Sequence, residues 1–329
     1  MKVSDLGEFG LIARLAAALG DNAPPELILG IGDDAAVWRF TGGCLLATTD
    51  TMVEGVHFLP AAAPWADIGW KALAVNISDV AAMGGTPLFA LVTLALPTDT
   101  PVAAIDQLYA GLRECAREYA VAIAGGDVVQ APQVAVTVAL LGRAGEREGR
   151  PLLLRRDAAR PGDAIAVTGT LGDAAAALRR LREGAPPDGP LARAHLRPRP
   201  PLGVGQRAAA LGIVCAIDVS DGLLQDIGHI CERSGLGADI CAPNVPLSPA
   251  LREAYPDDAL ALACSGGEDY QLVLAGPAER IQQLRAQSDT PVTIIGEMRE
   301  SESRAPRLLD EAGGAIHLPA LGWDQLRRP

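Results

Sequence analysis

Aspartates recur in this sequence beside small residues at the edges of apolar segments. They are Asp33 and Asp34 after Gly32, Asp50 after Thr48 and Thr49, Asp79 after Ser78, Asp127 after Gly125 and Gly126, and Asp218 and Asp221 around Ser220. Carboxylate oxygens are ligands that Mg²⁺ prefers, and converging aspartates repel one another unless cations lie among them. The pattern predicts a site where several Mg²⁺ ions bind phosphate oxygens. Each aspartate taken singly could instead be a turn residue or a helix cap, and we interpret Asp34 as a cap.

Nearly all the basic side chains are arginines, which limits the ways in which the protein could bind phosphate. The only lysines are Lys2 and Lys71, and no Gly-Lys-Ser/Thr triplet or kinase HRD and DFG set occurs. Divalent metals must therefore supply much of the charge that neutralises a bound nucleotide. Arg155 and Arg156 form a pair that could hold phosphate or be a solvated pair.

Other candidate residues are weaker. His57 follows Asp50 closely, and a structural role for it is as plausible as a functional one. Ser265–Tyr270 is predicted to be a turn that carries Glu268 and Asp269, and this turn could bind a substrate. His195 and His317 are interpreted as surface-loop residues and His229 as a residue on a helix face.

Composition sets the class of protein. The 329 residues are 49% hydrophobic, enough for two domains. The net charge of −12 argues against a nucleic-acid surface. Six cysteines without a CxxC pair indicate reduced core residues. With no predicted targeting segment or membrane span, the expected location is the cytoplasm.

Strand and helix patterns alternate along the chain, which indicates an α/β or α+β fold. We predict strands over Cys44–Thr49, Leu88–Leu96, Val121–Ala124 and Val134–Gly142, and helices over Glu8–Leu19, Asp67–Met83 and Val102–Tyr119. We also predict that the acidic residues gather at the carboxyl ends of strands, where α/β proteins bind ligands.

A second series of strands and helices follows an Arg- and Gly-rich stretch, which predicts domains over 1–148 and 149–329. Its strands are predicted at Ala164–Thr168, Val214–Ile217, Ile240–Ala242, Tyr270–Leu274 and Val292–Ile295. Its helices are predicted at Gly172–Glu183, Gly222–Arg233 and Pro277–Arg285, and the proline-rich Gly184–Pro201 is predicted to be a loop.

Motifs along nearly the whole chain resemble one family. They are GEFGLIARL, LGIGDDAAV, TTDTMVEGVHF, KALAVNISDVAAMGG, GGD, RPGDAIAVTGTLGD, AIDVSDGLLQDIGHI, CSGGEDYQL and the terminal Gly-Trp-Asp. Together they resemble thiamine-monophosphate kinases of the aminoimidazole-ribonucleotide-synthetase-like superfamily. The resemblance implies an N-terminal α/β domain that dimerises and a C-terminal α/β domain that closes over nucleotide and substrate.

The same resemblance implies the reaction. ATP and thiamine monophosphate would give ADP and thiamine diphosphate by in-line, Mg-assisted transfer, the last step of thiamine diphosphate biosynthesis. The acceptor is already a phosphate, so no residue need act as a strong general base.

Roles for particular residues also come from the resemblance. The metal ligands would be Asp33, Thr48, Thr49, Asp50, Asp79, Asp127, Asp218 and Asp221, with Thr48 or Thr49 acting through its backbone. The ATP contacts would be Gly126, Asp127, Arg156 and Ser220, with Arg155 as the alternative to Arg156. The contacts to the thiamine side would be His57, Glu268 and Trp323.

Two alternatives stay open at this point. A sister enzyme would be an ATP-dependent cyclo-ligase or a selenophosphate synthetase, and the latter would need a reactive cysteine that Met1–Gly32 lacks. A non-catalytic Mg-nucleotide-binding module would have no need to keep every acidic residue.

Overall fold

A computed structural model of the chain describes residues 10, 12–14, 25–60 and 62–323. The helix predicted over Glu8–Leu19 lies mostly outside this range, although Gly10 and residues 12–14 are helical. In the described part, no helix is long and apolar enough to cross a membrane.

The first half of the chain forms a six-stranded sheet. Its strands are β1 (Leu27–Leu29), β2 (Ala36–Phe40), β3 (Gly43–Val53), β4 (Thr86–Leu96), β5 (Ala122–Gln130) and β6 (Ala135–Arg143), in the spatial order β1-β2-β3-β6-β4-β5. Helix α1 (Trp65–Ala82) packs on β3 and β6, and α2 (Val102–Glu118) packs on α1. A buried apolar core that includes Leu73, Ile77 and Leu140 fills the space between sheet and helices.

The second half forms a seven-stranded sheet after a short hairpin of β7 (Gly145–Arg147) and β8 (Arg150–Leu152). The strands are β9 (Ala164–Thr168), β10 (Cys215–Asp218), β11 (Gly237–Cys241), β12 (Leu272–Gly276), β13 (Val292–Arg299), β14 (Pro306–Leu309) and β15 (Ala315–Ile316). The order is β10-β12-β9-β13-β11-β14-β15. The helices are α3 (Asp173–Arg182), α4 (Gly189–Leu196), α5 (Leu202–Ala210), α6 (Leu223–Ser234), α7 (Pro249–Ala254), α8 (Ala259–Ser265) and α9 (Ala278–Gln287).

The predicted α/β (α+β) fold class is confirmed and Asp218 ends its strand as expected, but the expected position of Asp50 and Asp127 at strand ends is wrong. β3 runs on to Val53 and β5 to Gln130, so Asp50 and Asp127 lie inside strands. Both sheets are mainly antiparallel; in the first, only β4 and β5 are parallel. Polar residues continue β3 because its backbone pairs with β6 along nine positions, from Leu45 to Val53.

Two further predictions need correction or stay open. The stretch Gly184–Pro201 contains α4, because Pro190 stands in the first turn of that helix, where its missing N–H breaks no helical hydrogen bond. The predicted domain boundary at 148/149 falls at the turn of the β7–β8 hairpin, and it stays a prediction.

Candidate active site

Three aspartates from distant parts of the chain meet in the interior. Asp34 lies between β1 and β2, Asp79 in the last turn of α1, and Asp218 at the end of β10. One carboxylate oxygen from each lies within 4.8 Å of the other two, and Asp34 and Asp218 are buried. This set of hard oxygen donors suits a divalent cation.

Neighbouring side chains orient these carboxylates. Thr48 Oγ1 donates to Asp79 Oδ2 at 2.5 Å, and Ser78 Oγ donates to Asp218 Oδ2 at 2.6 Å. Hydroxyl donors leave the remaining lone pairs of each carboxylate for a metal ion.

Asp50 joins the cluster from β3. Its backbone N–H donates to Asn76 Oδ1 at 3.1 Å, which fixes the strand against α1. Since side chains alternate along a strand, Asp50 and Thr48 point to the same face of β3, toward α1. Thr49 points to the other face, where its hydroxyl donates to Val138 O at 3.1 Å.

Arg156 makes a two-pronged contact with Asp34. Its Nη2 lies 2.7 Å from Asp34 Oδ1 and its Nε 3.1 Å from Oδ2. The Arg156 backbone N–H also donates to Asp33 Oδ2 at 3.2 Å. The interpretation of Asp34 as a simple cap is therefore wrong. Arg155 pairs instead with the exposed Asp157, so Arg156 is the arginine at the cluster.

Burial and mutual repulsion shape the charge of this cluster. Burial, together with Asp34, raises the pKa of Asp33 to about 7 and that of Asp50 to about 6. Burial raises the pKa of Asp79 and Asp218 well above the usual range, and neighbouring aspartates add to the effect. A cation among these oxygens would relieve that repulsion, so the donor set fits Mg²⁺.

A cavity of about 710 Å³ opens beside the cluster. It is lined by residues from both halves of the chain, which include Asp50, His57, Asp79, Asp218, Ser220, Asp221, Glu268 and Trp323. The structure therefore brings eight of the predicted site residues to one cavity. His57 Nδ1 accepts from the Val53 backbone N–H at 3.1 Å, and burial lowers the pKa of His57.

Trp323 stands at this cavity and is 39% exposed. Its backbone is held at both ends: its N–H donates to Asp221 O at 2.9 Å, and Gln225 Nε2 donates to its carbonyl at 2.5 Å. A partly exposed indole in this position can stack on a flat cationic ring.

Gly126 and Asp127 are exposed and lie apart from the residues that line this cavity. Strand register places Asp50 opposite Val138, Val138 opposite Val92, and Val92 opposite Gly126. Three strand spacings of about 4.8 Å therefore separate Gly126 from Asp50, a span of about 14 Å.

Several residues at the site escaped prediction. Lys71 and His195 are buried against Glu268, and the expectation of a surface loop for His195 is wrong. Asp226 is buried and accepts the backbone N–H groups of Asp221 and Gly222. Lys71 carried one signal in the sequence: it stands four and eight residues before Val75 and Asp79, on one face of α1.

Comparison with known proteins agrees with this geometry. The family model for the N-terminal domain of AIR synthase related proteins matches residues 32–144, and the model for their C-terminal domain matches residues 160–307. A thiamine-monophosphate kinase of Aquifex aeolicus is 36% identical over 309 residues, covering 92% of this chain and 94% of the relative. One of Escherichia coli strain K12 is 39% identical over 338 residues, covering 98% and 99%.

Solved structures give the same result. A structure of AaThiL complexed with AMPPCP and TMP matches with a TM-score of 0.86 and 34% identity, and the match covers 99% of both chains. The two sheets and their shared acidic cavity thus define an AIR synthase related protein. Within that family, the chain belongs to the thiamine-monophosphate kinases.

Proposed function

We propose that this protein transfers the γ-phosphoryl group of ATP to the phosphate of thiamine monophosphate, giving ADP and thiamine diphosphate. The carboxylate cluster of Asp34, Asp79 and Asp218 at one side of a cavity that also holds Glu268 and Trp323 carries this proposal. A kinase with a phosphate acceptor needs such a site, with hard oxygen donors for phosphate-bound metal beside room for an organic ring.

We assign Mg²⁺ to the acidic cluster. Asp34, Asp79 and Asp218, with the nearby Asp33, Asp50 and Asp221, would hold several ions, with Thr48 orienting Asp79. When bound, Mg²⁺ supplies the positive charge that neutralises the transferring phosphoryl group. Arg156 adds a fixed guanidinium beside Asp34, and Ser220 lies on the cavity wall where a phosphate oxygen would approach.

The side chains of the protein then position the acceptor for the reaction. The acceptor phosphate is already largely ionised near neutral pH, with a second pKa of about 6, so its oxygen can attack without a general base. His57 is mostly neutral at that pH because burial lowers its pKa. We therefore assign His57, Glu268 and Trp323 to binding the thiamine side of the acceptor.

A second copy of the chain accounts for the exposed apolar edge of the first sheet. Phe89, Leu91, Val128 and Val129 on β4 and β5 are 50%, 47%, 67% and 45% exposed. β5 is an edge strand of the described sheet, and an apolar edge of this kind invites pairing with another chain. We propose a homodimer formed along this edge.

The dimer also offers a role for Gly126 and Asp127. Since about 14 Å of sheet separates Gly126 from Asp50 in one protomer, we propose that these two residues serve the site of the second copy. A Cβ at Gly126 would lie 1.8 Å from Val92 O, so only glycine fits in this edge strand.

Light scattering of Val128→Glu tests the dimer, with Val102→Glu as control because Val102 is 76% exposed on α2. The proposal requires monomers from Val128→Glu alone.

The proposed activity is tested by incubating the purified chain with thiamine monophosphate and Mg-ATP and identifying the products by chromatography. Equal amounts of ADP and thiamine diphosphate support it. Unchanged thiamine monophosphate, or release of inorganic phosphate in place of thiamine diphosphate, would exclude it.

A further inference from the structure

Glu268 lies between two buried side chains from different helices. Lys71 Nζ, on α1, is 2.7 Å from Glu268 Oε1, and His195 Nδ1, on α4, is 3.1 Å from Oε2. The side chains of Lys71 and His195 are 3% and 4% exposed, while that of Glu268 is 23% exposed. Glu268 lines the cavity, and each of its carboxylate oxygens lies close to one basic side chain.

The backbone under Glu268 has little freedom to move. Glu268 has a φ of 68°, which is uncommon for a residue with a side chain. Its N–H donates to Ser220 O at 2.8 Å, and a Cβ at Gly267 would lie 2.4 Å from that same oxygen. With the backbone fixed, Lys71 and His195 decide where the carboxylate points.

Helix α1 sets the distance from this group to the acidic cluster. Lys71, Val75 and Asp79 follow one another at intervals of four residues, and all three line the cavity. Eight residues at 1.5 Å each place Lys71 about 12 Å along the helix from Asp79. Thiamine monophosphate carries its phosphate at one end and its amino-substituted pyrimidine at the other, so a phosphate near Asp79 directs the pyrimidine toward Glu268.

We propose that Lys71 and His195 are positioning residues that hold Glu268 as an oriented carboxylate, which accepts an N–H hydrogen bond from the aminopyrimidine of the acceptor. This inference rests on the proposed function. A carboxylate has about four acceptor positions, and the two partners use two of them. Glu268 lines the cavity, so an acceptor position that neither partner uses is available to the ring amino group.

The charges around Glu268 are consistent with this role. Burial alone would raise the pKa of Glu268, but the Lys71 ammonium and the His195 N–H outweigh burial and hold it well below its usual range. Burial and the nearby Lys71 lower the pKa of His195, so this ring is neutral near pH 7, and its Nδ1 lies 3.1 Å from Glu268 Oε2. Other titratable groups that line this end of the cavity are His57, Arg182 and Tyr270, and the buried Asp269 follows Glu268 in the chain and also interacts with it.

The first test compares the Michaelis constants of Lys71 variants. Lys71→Met should raise KM for thiamine monophosphate by roughly 10-fold or more, because truncating one partner of a buried charge pair leaves the other uncompensated. KM for ATP should change less than about 2-fold, and Lys71→Arg should recover part of the loss. Arg199→Gln is the matched control, since it removes an exposed ion pair with Glu118.

A double variant separates positioning from a general loss of structure. If Lys71 acts through Glu268, Lys71→Met combined with Glu268→Gln should bind thiamine monophosphate no more weakly than Glu268→Gln alone. The double variant also removes both charges of the pair, so it remains measurable if Lys71→Met folds poorly. Additive losses would contradict the inference.

The pH profile gives an independent readout. Without Lys71, the pKa of Glu268 should rise, so the ratio of KM for Lys71→Met to KM for the wild type should increase as pH falls from 8 to 5.5. Taking the ratio cancels the titration of the substrate itself. A flat ratio, or equal effects on ATP and thiamine monophosphate, would overturn the inference. Failure of the wild type to make thiamine diphosphate would instead overturn the proposed function.

Discussion

Ser78 and Asp218 join the two halves of the molecule at the acidic cluster. The hydroxyl of Ser78, on α1, donates to Asp218 Oδ2 at 2.6 Å across a separation of 140 residues, and both side chains are buried. Asp79, the next residue of α1, contributes a carboxylate oxygen to the same cluster. The relative position of the two sheets therefore controls the geometry of the proposed metal site.

Asp218→Asn should lower turnover by roughly 100-fold or more, a typical effect of losing one electrostatic stabiliser. The amide keeps the shape of the side chain but removes its charge. Steady-state kinetics at saturating substrate checks this, with Asp106→Asn as the control because Asp106 is exposed on α2. Turnover within 10-fold of the wild type would contradict a metal-holding role for Asp218.

His57→Asn should act on substrate binding and leave turnover within a few-fold of the wild type. His57 is held through Nδ1 by the Val53 N–H and borders the cavity without joining the aspartate cluster. The pH profile of turnover should keep the same limbs in the variant. Loss of turnover, together with loss of a titration near pH 6.5, would indicate that His57 is a general base.

Trp323→Ala should raise KM for thiamine monophosphate by roughly 2- to 30-fold, the equivalent of about 0.5–2 kcal/mol for a cation–π contact. KM for ATP should change little, and Trp323→Phe should keep part of the contact. A variant that raises only the KM for ATP would place Trp323 at the nucleotide instead.

Without Mg²⁺, stability should fall as pH rises from 6.5 to 8. The pKa of Asp33 is raised to about 7, above its unfolded value of about 4, so the folded state binds more protons than the unfolded state in this range. The loss should be roughly 1 kcal/mol by linkage. The histidines with lowered pKa oppose this trend near pH 6.5, because the unfolded state still binds part of their protons there, but Asp269, whose pKa burial raises to about 8, adds to the loss over the same range.

Thermal unfolding in EDTA at the two pH values measures this effect. Adding Mg²⁺ should raise the Tm more at pH 8 than at pH 6.5, and Asp33→Asn should reduce the dependence on pH. A Tm in EDTA that rises over this range would show that the carboxylates are not crowded in the metal-free protein.

The class of fold and most elements could be predicted, because helices such as α1 and strands such as β9 are apolar runs of suitable length that end at Pro or Gly residues. The sequence misplaced the ends of β3 and β5, since Asp50 and Asp127 look like residues that end a strand. Only antiparallel pairing with β6 explains why β3 continues. Pairing of this kind depends on residues far away in the chain.

The site was predicted in part for a similar reason. Asp79 and Asp218 could be found because each follows a serine or an apolar strand in a recognisable motif. Asp34 looked like a cap because its partner, Arg156, lies 122 residues away. Lys71 and His195 gave no sign that they would meet at Glu268, since buried ion pairs leave no local pattern.

The measurement that tests the proposed metal-assisted reaction most directly is product formation from thiamine monophosphate and ATP, with and without Mg²⁺. We predict equal amounts of ADP and thiamine diphosphate with Mg²⁺, and loss of both in excess EDTA that is reversed by adding Mg²⁺ back. Thiamine diphosphate formed at an undiminished rate in EDTA would contradict the metal-assisted mechanism. No thiamine diphosphate under any condition would contradict the proposed function.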